Sequence, residues 1–294
     1  MAILYSKLNS IAISTNSYLN KFFSKQKKNS YLLKPMKYGV FSGGKRFRSA
    51  IVVNTGKIYG IDYKKLIIVG SAIECMHSYS LIHDDLPSMD NDNLRRGKLT
   101  VHKKFNEYTA ILAGNSLLTL AFEILSGKDL KLPQNYKNQL IKALSVCAGH
   151  SGLAGGQYSD LTFENKNISK KNIINMQKKK TGELFGFCCE SIGIIKGANS
   201  MKRKKLKELG INIGLLFQTI DDLIDYRGDS AIVGKPTKSD MKKGKATLLN
   251  LLGYEKTVNF AKNLKKKIDK QIKKYGRKTN DLLDSVEFIL ERKF

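Results

Sequence analysis

The segment Leu66–Gly97, LIIVGSAIECMHSYSLIHDDLPSMDNDNLRRG, decides the fold. From Leu66 to Asp85 apolar residues recur at helical spacing and leave little polar surface, which predicts a helix buried in a core. Pro87 disfavours helical geometry at Leu86 and starts a turn. Four aspartates, Asp84, Asp85, Asp90 and Asp92, then fall within nine residues, in a chain whose formal net charge is +27. Arg95 and Arg96 follow directly. A helix C-terminus is already negative, so carboxylates there oppose folding. A divalent cation reverses that sign, and a donor set made only of oxygens selects Mg²⁺ over Zn²⁺. Taken alone, the segment also reads as a solvated acidic loop.

The same helical spacing recurs over Tyr108–Leu125, Gln139–Leu153, Ile173–Ile195, Leu206–Tyr226 and Asp281–Glu291. Breaks fall at GKLT, at Lys131–Asn135 and at YRGDSAIVGKPTKSD, and no convincing alternating strand run appears. Four prolines in 294 residues leave long helices free to form. No linker, repeat or composition break marks a second domain. The expectation is an all-α protein with one domain over residues 1–294. No apolar run reads as long enough to span a bilayer, so no integral membrane segment is expected. The first acidic residue is Asp62, but no arginine precedes Arg46 and the first chemical motif begins at Gly43, so no targeting segment is expected. Cys75, Cys147, Cys188 and Cys189 form no CxxC pair. They read as buried thiols in a reducing, cytoplasmic compartment.

The basic excess, 52 Lys and Arg against 25 acids, would suit a nucleic-acid binder. Only eight of these bases are arginine. The lysines are dispersed among many Asn and Ile, the pattern of AT-rich coding rather than a phosphate-tracking stripe, so no nucleic-acid partner is expected. The Lys-rich Lys262–Lys278 reads as a solvated helix face.

Two further constellations carry chemistry. In FQTIDDLID, Phe217–Asp225, Asp221 and Asp225 share a helix face, and Asp222 lies about 100° round from Asp221. Leu215, Leu216, Phe217, Ile220, Leu223 and Ile224 surround them, a setting that suits a cavity or a bound cation better than a solvated stripe. Two DD…D clusters can hold several Mg²⁺ ions, and several such ions suggest a bridging diphosphate. In SGGKRFR, Ser42–Arg48, two glycines let a ligand approach the backbone. Lys45 and Arg48 would share a face if a helix begins there, making an anion site. By itself this stretch fits an ordinary helix start better. Holding phosphate both through metal and through side-chain cations suits a reaction between two diphosphates.

The motifs GGKRFR, MHSYSLIHDDLPSMDNDNLRRGKLTVH, AGGQYSDL, KKKTGELF, FQTIDDLID and GKATL occur in the order seen in trans-polyprenyl diphosphate synthases. From about residue 30 onward the chain resembles that family, and within it the bacterial farnesyl diphosphate synthases. The resemblance implies the isoprenoid synthase helical bundle around a central active-site cavity, as a homodimer. It implies that Asp84, Asp85 and Asp90 bind Mg²⁺ from one wall, and Asp221, Asp222 and Asp225 from the other. Arg95, Lys180, Thr181, Gln218, Lys235 and Lys245 match positions that hold the allylic diphosphate. Lys45, Arg48, His77 and Arg96 match positions that hold isopentenyl diphosphate. The two adjacent arginines would thus serve different substrates. A lone His in an apolar helix is usually a core residue, but His77 lies two turns before Asp84 on roughly the same face. His83 reads as structural, and Gln157 and Asp160 receive no role.

Product length in this family depends on the cavity floor. Tyr79 lies a little over one turn before Asp84, with Ser80 beside it, and an aromatic there limits the product to fifteen carbons. The resemblance therefore implies condensation of isopentenyl diphosphate with dimethylallyl and then geranyl diphosphate. A longer-chain, geranylgeranyl-type synthase is the alternative. A terpene cyclase would have no need of GGKRFR and Arg96, and a non-catalytic partner subunit would be expected to lose aspartates. Ser49, Phe47, Lys238 and Ala246 depart from the usual family residues, and none removes a proposed ligand.

Overall fold

The computed structural model describes residues 2–26, 31–227 and 243–292. Lys235 and Lys238 lie outside the described residues. The chain divides into two compact units, residues 1–53 with 61–141, and residues 54–60 with 142–294.

In the first unit the central pair is α4 (Tyr63–Asp84) and α6 (Glu107–Ser126). Asp62 caps α4 by accepting from the Lys65 amide, and Asn106 caps α6 by accepting from that of Thr109. Most of α4 is buried on every side, from Leu66 through Met76, so its sequence shows no polar stripe. Around it lie α1 (Ala2–Ser24), α2 (Leu33–Val40), the first half of α3 (Phe47–Ile58) and the short α5 (Val101–Lys104). Between α4 and α5 a two-stranded antiparallel hairpin pairs β1 (Leu94–Arg95) with β2 (Lys98–Leu99). Among the described residues this is the one departure from helix and loop, in a region the sequence showed only as a break.

Both α4 and α6 are long and apolar enough to cross a membrane by length and composition, which corrects only the reading that no apolar run reaches that length; buried core helices meet the same criterion. In α4 that apolar surface is core, with 78% of the window buried. In α6 the share is 44%, and Tyr108, Ile111 and Leu112 are exposed.

The second unit is built on α10 (Glu183–Ile195) packed along α11 (Ser200–Arg227). The expected helix Ile173–Ile195 is interrupted. It divides into α9 (Lys170–Gln177), one π-helical turn at Lys178–Gly182, and α10. The expected helix at Gln139–Leu153 is α7 (Gln134–Ala148), and α8 (Leu153–Thr162) begins where it was expected to end. Then come α12 (Leu248–Leu252), α13 (Tyr254–Lys273) and α14 (Asn280–Glu291). On the second half of α3, Asn54 and Lys57 bond to α14 through Asp281. The four cysteines are buried thiols, none in a disulfide.

Backbone contact between α10 and α11 depends on Gly210. A Cβ there would lie 2.1 Å from the Phe185 carbonyl oxygen and 2.7 Å from Gly186 Cα. Neither atom can yield as a flexible side chain would. Gly210→Ala is expected to cost about 1–3 kcal/mol by forcing the helices apart. Lys205→Ala, on the exposed side of α11, should stay within about 0.5 kcal/mol of the parent. Chemical denaturation of both variants checks this.

Candidate active site

The end of α4 builds the first acidic cluster. Asp84 closes the helix and Asp85, its C-cap, is only 2% exposed. The chain then folds back on itself: the Asp90 amide donates to the Asp84 carbonyl (2.9 Å) and the Asp92 amide to that of Asp85 (3.2 Å). The hairpin turn is Arg96–Gly97, with φ of 53° and 74°, the left-handed geometry that a two-residue turn requires. This turn sends the adjacent arginines to separate places. Arg95 Nε donates to Asp85 Oδ1 (2.7 Å), and its guanidinium lies 3.7 Å from Asp92. Arg96 instead donates to the Gly43 carbonyl. Burial raises the Asp85 carboxyl above its ordinary range even against the lowering pull of Arg95.

Gly43 and Gly44 take φ of 109° and 106°, and a Cβ on Gly44 would meet the Arg96 guanidinium at 2.4 Å. The loop is open so that Arg96 can lie on it. Helix α3 begins only at Phe47, so Lys45 precedes it and the condition for a shared helical face with Arg48 is not met. Two φ-positive glycines and Arg46, at φ 50°, delay the helix start. Lys45 Nζ sits 5.5 Å from the centre of the Tyr5 ring. Arg46 is internal: it bonds Asn16 Oδ1 (2.8 Å) and the Val40 carbonyl (2.6 Å), and lies 3.7 Å from Glu74. Burial first, and then Arg48, Arg96, Arg95 and Arg46, push the His77 imidazole well below 6.5. His77 therefore sits neutral within the field of four arginines. Tyr79 packs edge-on against His83 at 4.8 Å, and His83 Nε2 donates to the Ile111 carbonyl (3.1 Å), consistent with a structural His83. Ser80 is buried and bonds the His77 carbonyl (2.9 Å).

In the second unit α11 carries Asp221, Asp222 and Asp225. Asp222 is 3% exposed, and amide donors meet both its oxygens, Gln177 Nε2 at 2.7 Å and Gln218 Nε2 at 2.9 Å. Thr181 donates to Gln218 Oε1 (2.7 Å), so Thr181, Gln218, Asp222 and Gln177 form one chain of hydrogen bonds. Arg292 bonds Asp221 while its guanidinium stacks 4.4 Å from the centre of the Phe217 ring. Lys180 and Lys245 both donate to Asp160 Oδ2, at 2.7 and 2.9 Å.

Sequence reasoning left Asp160 without a role and missed Gln177 and Arg292. The motif AGGQYSDL flagged Asp160. Nothing local distinguishes Gln177, whose importance comes from its contact 45 residues away. Among the described residues no three carboxylate, imidazole or thiol groups converge as a metal-ligand set. Asp85, Asp221 and Asp222 are instead engaged by arginine or amide donors. The donor chemistry, oxygen throughout, fits Mg²⁺.

The depressed His77 predicts a sign for stability. Below pH 6.5 the unfolded chain gains a proton that the folded chain refuses, so stability is full above 6.5 and falls as pH drops below it. His77→Gln should flatten this loss in denaturation measured from pH 7.5 to 5.5.

A family model for polyprenyl synthetase matches residues 29–285. A farnesyl diphosphate synthase of Geobacillus stearothermophilus is 37% identical over 257 residues, 86% of this chain and 86% of that one. An FPP/GFPP synthase from Zymomonas mobilis, solved in its apo form, superposes with a TM-score of 0.85 at 37% identity, covering 98% of this chain and all of that one. A geranyltransferase from Helicobacter pylori, solved with magnesium and isoprenyl diphosphate, superposes at 0.82 with 31% identity over 98% of this chain and 96% of that one. The motif order, the helical architecture and these similarities agree: the chain belongs to the polyprenyl synthetase family.

Proposed function

We propose that this chain, acting as one domain over residues 1–294, condenses isopentenyl diphosphate with dimethylallyl and then geranyl diphosphate to form farnesyl diphosphate. The observation that carries the reading is the split of Arg95 from Arg96, one on the acidic cluster and the other on the Gly43–Gly44 loop. Two diphosphates need two such places. Lys45, Arg48, His77 and Arg96 take isopentenyl diphosphate, with His77 as a neutral hydrogen-bonding group. Arg95, Lys180, Thr181, Gln218, Lys235 and Lys245 take the allylic diphosphate. Asp84, Asp85, Asp90, Asp221, Asp222 and Asp225 would hold several Mg²⁺ ions, which when bound neutralise charge on the departing pyrophosphate.

Arg95 and Lys180 add fixed positive charge where the leaving group develops negative charge. The allylic C–O bond breaks with its electron pair leaving on pyrophosphate. The double bond of isopentenyl diphosphate attacks the resulting cation, and a proton then leaves to the released pyrophosphate. No side-chain nucleophile takes part. The Tyr79 ring, held by His83, blocks further growth of the product. The reading includes a homodimer, supported by the exposed apolar Tyr108, Ile111 and Leu112 on α6. It also includes a cytoplasmic setting, which buried thiols outside any disulfide suit.

The test is a product assay with Mg²⁺, isopentenyl diphosphate and dimethylallyl diphosphate, sizing the dephosphorylated alcohols by mass spectrometry. Farnesol is expected from the parent chain and longer alcohols from Tyr79→Ala. Geranylgeraniol from the parent would refute the fifteen-carbon limit. Only farnesol from the variant would remove Tyr79 from chain-length control.

A further inference from the structure

We infer that Asp160 is the positioning residue for Lys180, fixing where that ammonium meets the allylic diphosphate. This rests on the assignment of Lys180 proposed above.

Lysine is a point charge on a flexible four-carbon stem, so its ammonium needs an anchor to act at a defined place. Asp160, on α8, is 6% exposed, and its Oδ2 accepts from Lys180 Nζ at 2.7 Å. The backbone at Lys180 is fixed as well. A Cβ on Gly156, one turn earlier on α8, would lie 2.1 Å from the Lys180 amide nitrogen. α8 and the π-helical turn therefore touch backbone to backbone, and the side-chain bond completes the register.

A second cation locks the carboxylate. Lys245 lies deeper, its side chain 6% exposed against 24% for Lys180, and it bonds both Asp160 (2.9 Å) and Glu164 (2.8 Å). A buried ammonium is tolerable only when paired, so Lys245 and Glu164 hold Asp160 in place. Lys180 is the more exposed of the two lysines on this carboxylate, so the geometry favours it as the one that Asp160 aims at substrate. Burial would raise the Asp160 carboxyl, but Lys180 and Lys245 outweigh it and keep the group ionised. Asp160 thus acts through another residue and does not itself touch substrate.

The test is steady-state kinetics with geranyl and isopentenyl diphosphates, with thermal unfolding measured alongside. Asp160→Asn is isosteric and is expected to lower kcat/KM for geranyl diphosphate about 100-fold, the scale of a misplaced catalytic group. KM for isopentenyl diphosphate should not change. Asp160→Glu should recover part of the loss. In a Lys180→Met background, the further loss from Asp160→Asn should be well below its loss in the parent chain, because most of its effect runs through Lys180. Wild-type kinetics from Asp160→Asn, with Lys180→Met impaired, would overturn the inference and leave the proposed function standing. Losses that add in the double variant and affect both substrates alike would overturn it too, showing Asp160 to be structural only. Normal kinetics from Lys180→Met would instead overturn the assignment on which the inference rests. If Asp160→Asn does not fold, Asp160→Ser, which also removes the carboxylate, is measured in the same two backgrounds.

Discussion

A carboxylate taken out of water must be met by a donor, and much of this molecule is arranged around that constraint. Desolvation costs several kcal/mol per ion unless charge and hydrogen bonds compensate it. Asp85, Asp222 and Asp160 are 2%, 3% and 6% exposed. Each is met from a different element. The hairpin brings Arg95 to Asp85, α9 brings Gln177 to Asp222, and the π-helical turn brings Lys180 to Asp160. Among the described residues the small β-ladder and the π-helical turn are two irregular features, and both sit where a donor reaches an acid. A π-helical turn is a frequent device at functional sites because it re-aims side chains without ending the helix.

The compensation is uneven. Two lysines overcome the burial of Asp160 and hold its carboxyl below the ordinary range. Arg95 does not overcome the burial of Asp85, whose carboxyl stays above it. Asp160 is therefore well satisfied by the chain's own cations and suits a fixed anchor. Asp85 would gain from a stronger positive charge than one guanidinium supplies. Asp221 differs again: it is partly exposed, and Arg292, near the end of the described chain, reaches it across the face of Phe217.

Much of this was legible in the sequence. The core helix ending at Asp84, the long α11 and the terminal α14 followed from apolar periodicity, because their packing faces repeat at the helical period. The separation of Arg95 from Arg96 was anticipated from motif resemblance, and the turn that causes it rests on Arg96 and Gly97 taking positive φ. The condition for a shared Lys45–Arg48 face is not met, because Gly43, Gly44 and Arg46 take positive φ and α3 begins at Phe47. The break inside Ile173–Ile195 left no mark, since KKKTG is compatible with uninterrupted helix and the π-helical turn is set by tertiary contacts. Gln177 and Arg292 were invisible for the same reason: each matters through a partner far away in sequence. The apolar content of α4 and α6 was undervalued because scattered serines and glycines break the run without making it polar.

The most direct test of the central claim is calorimetric titration of Mg²⁺ into the protein, with and without a non-ionising thiolo analogue of geranyl diphosphate. Asp85, Asp221 and Asp222 already hold protein donors, so Mg²⁺ alone should bind weakly and without saturating at micromolar concentration. With the analogue present, binding should tighten sharply, because diphosphate and metal together displace those donors. Micromolar saturation by Mg²⁺ alone, unchanged by the analogue, would contradict the account.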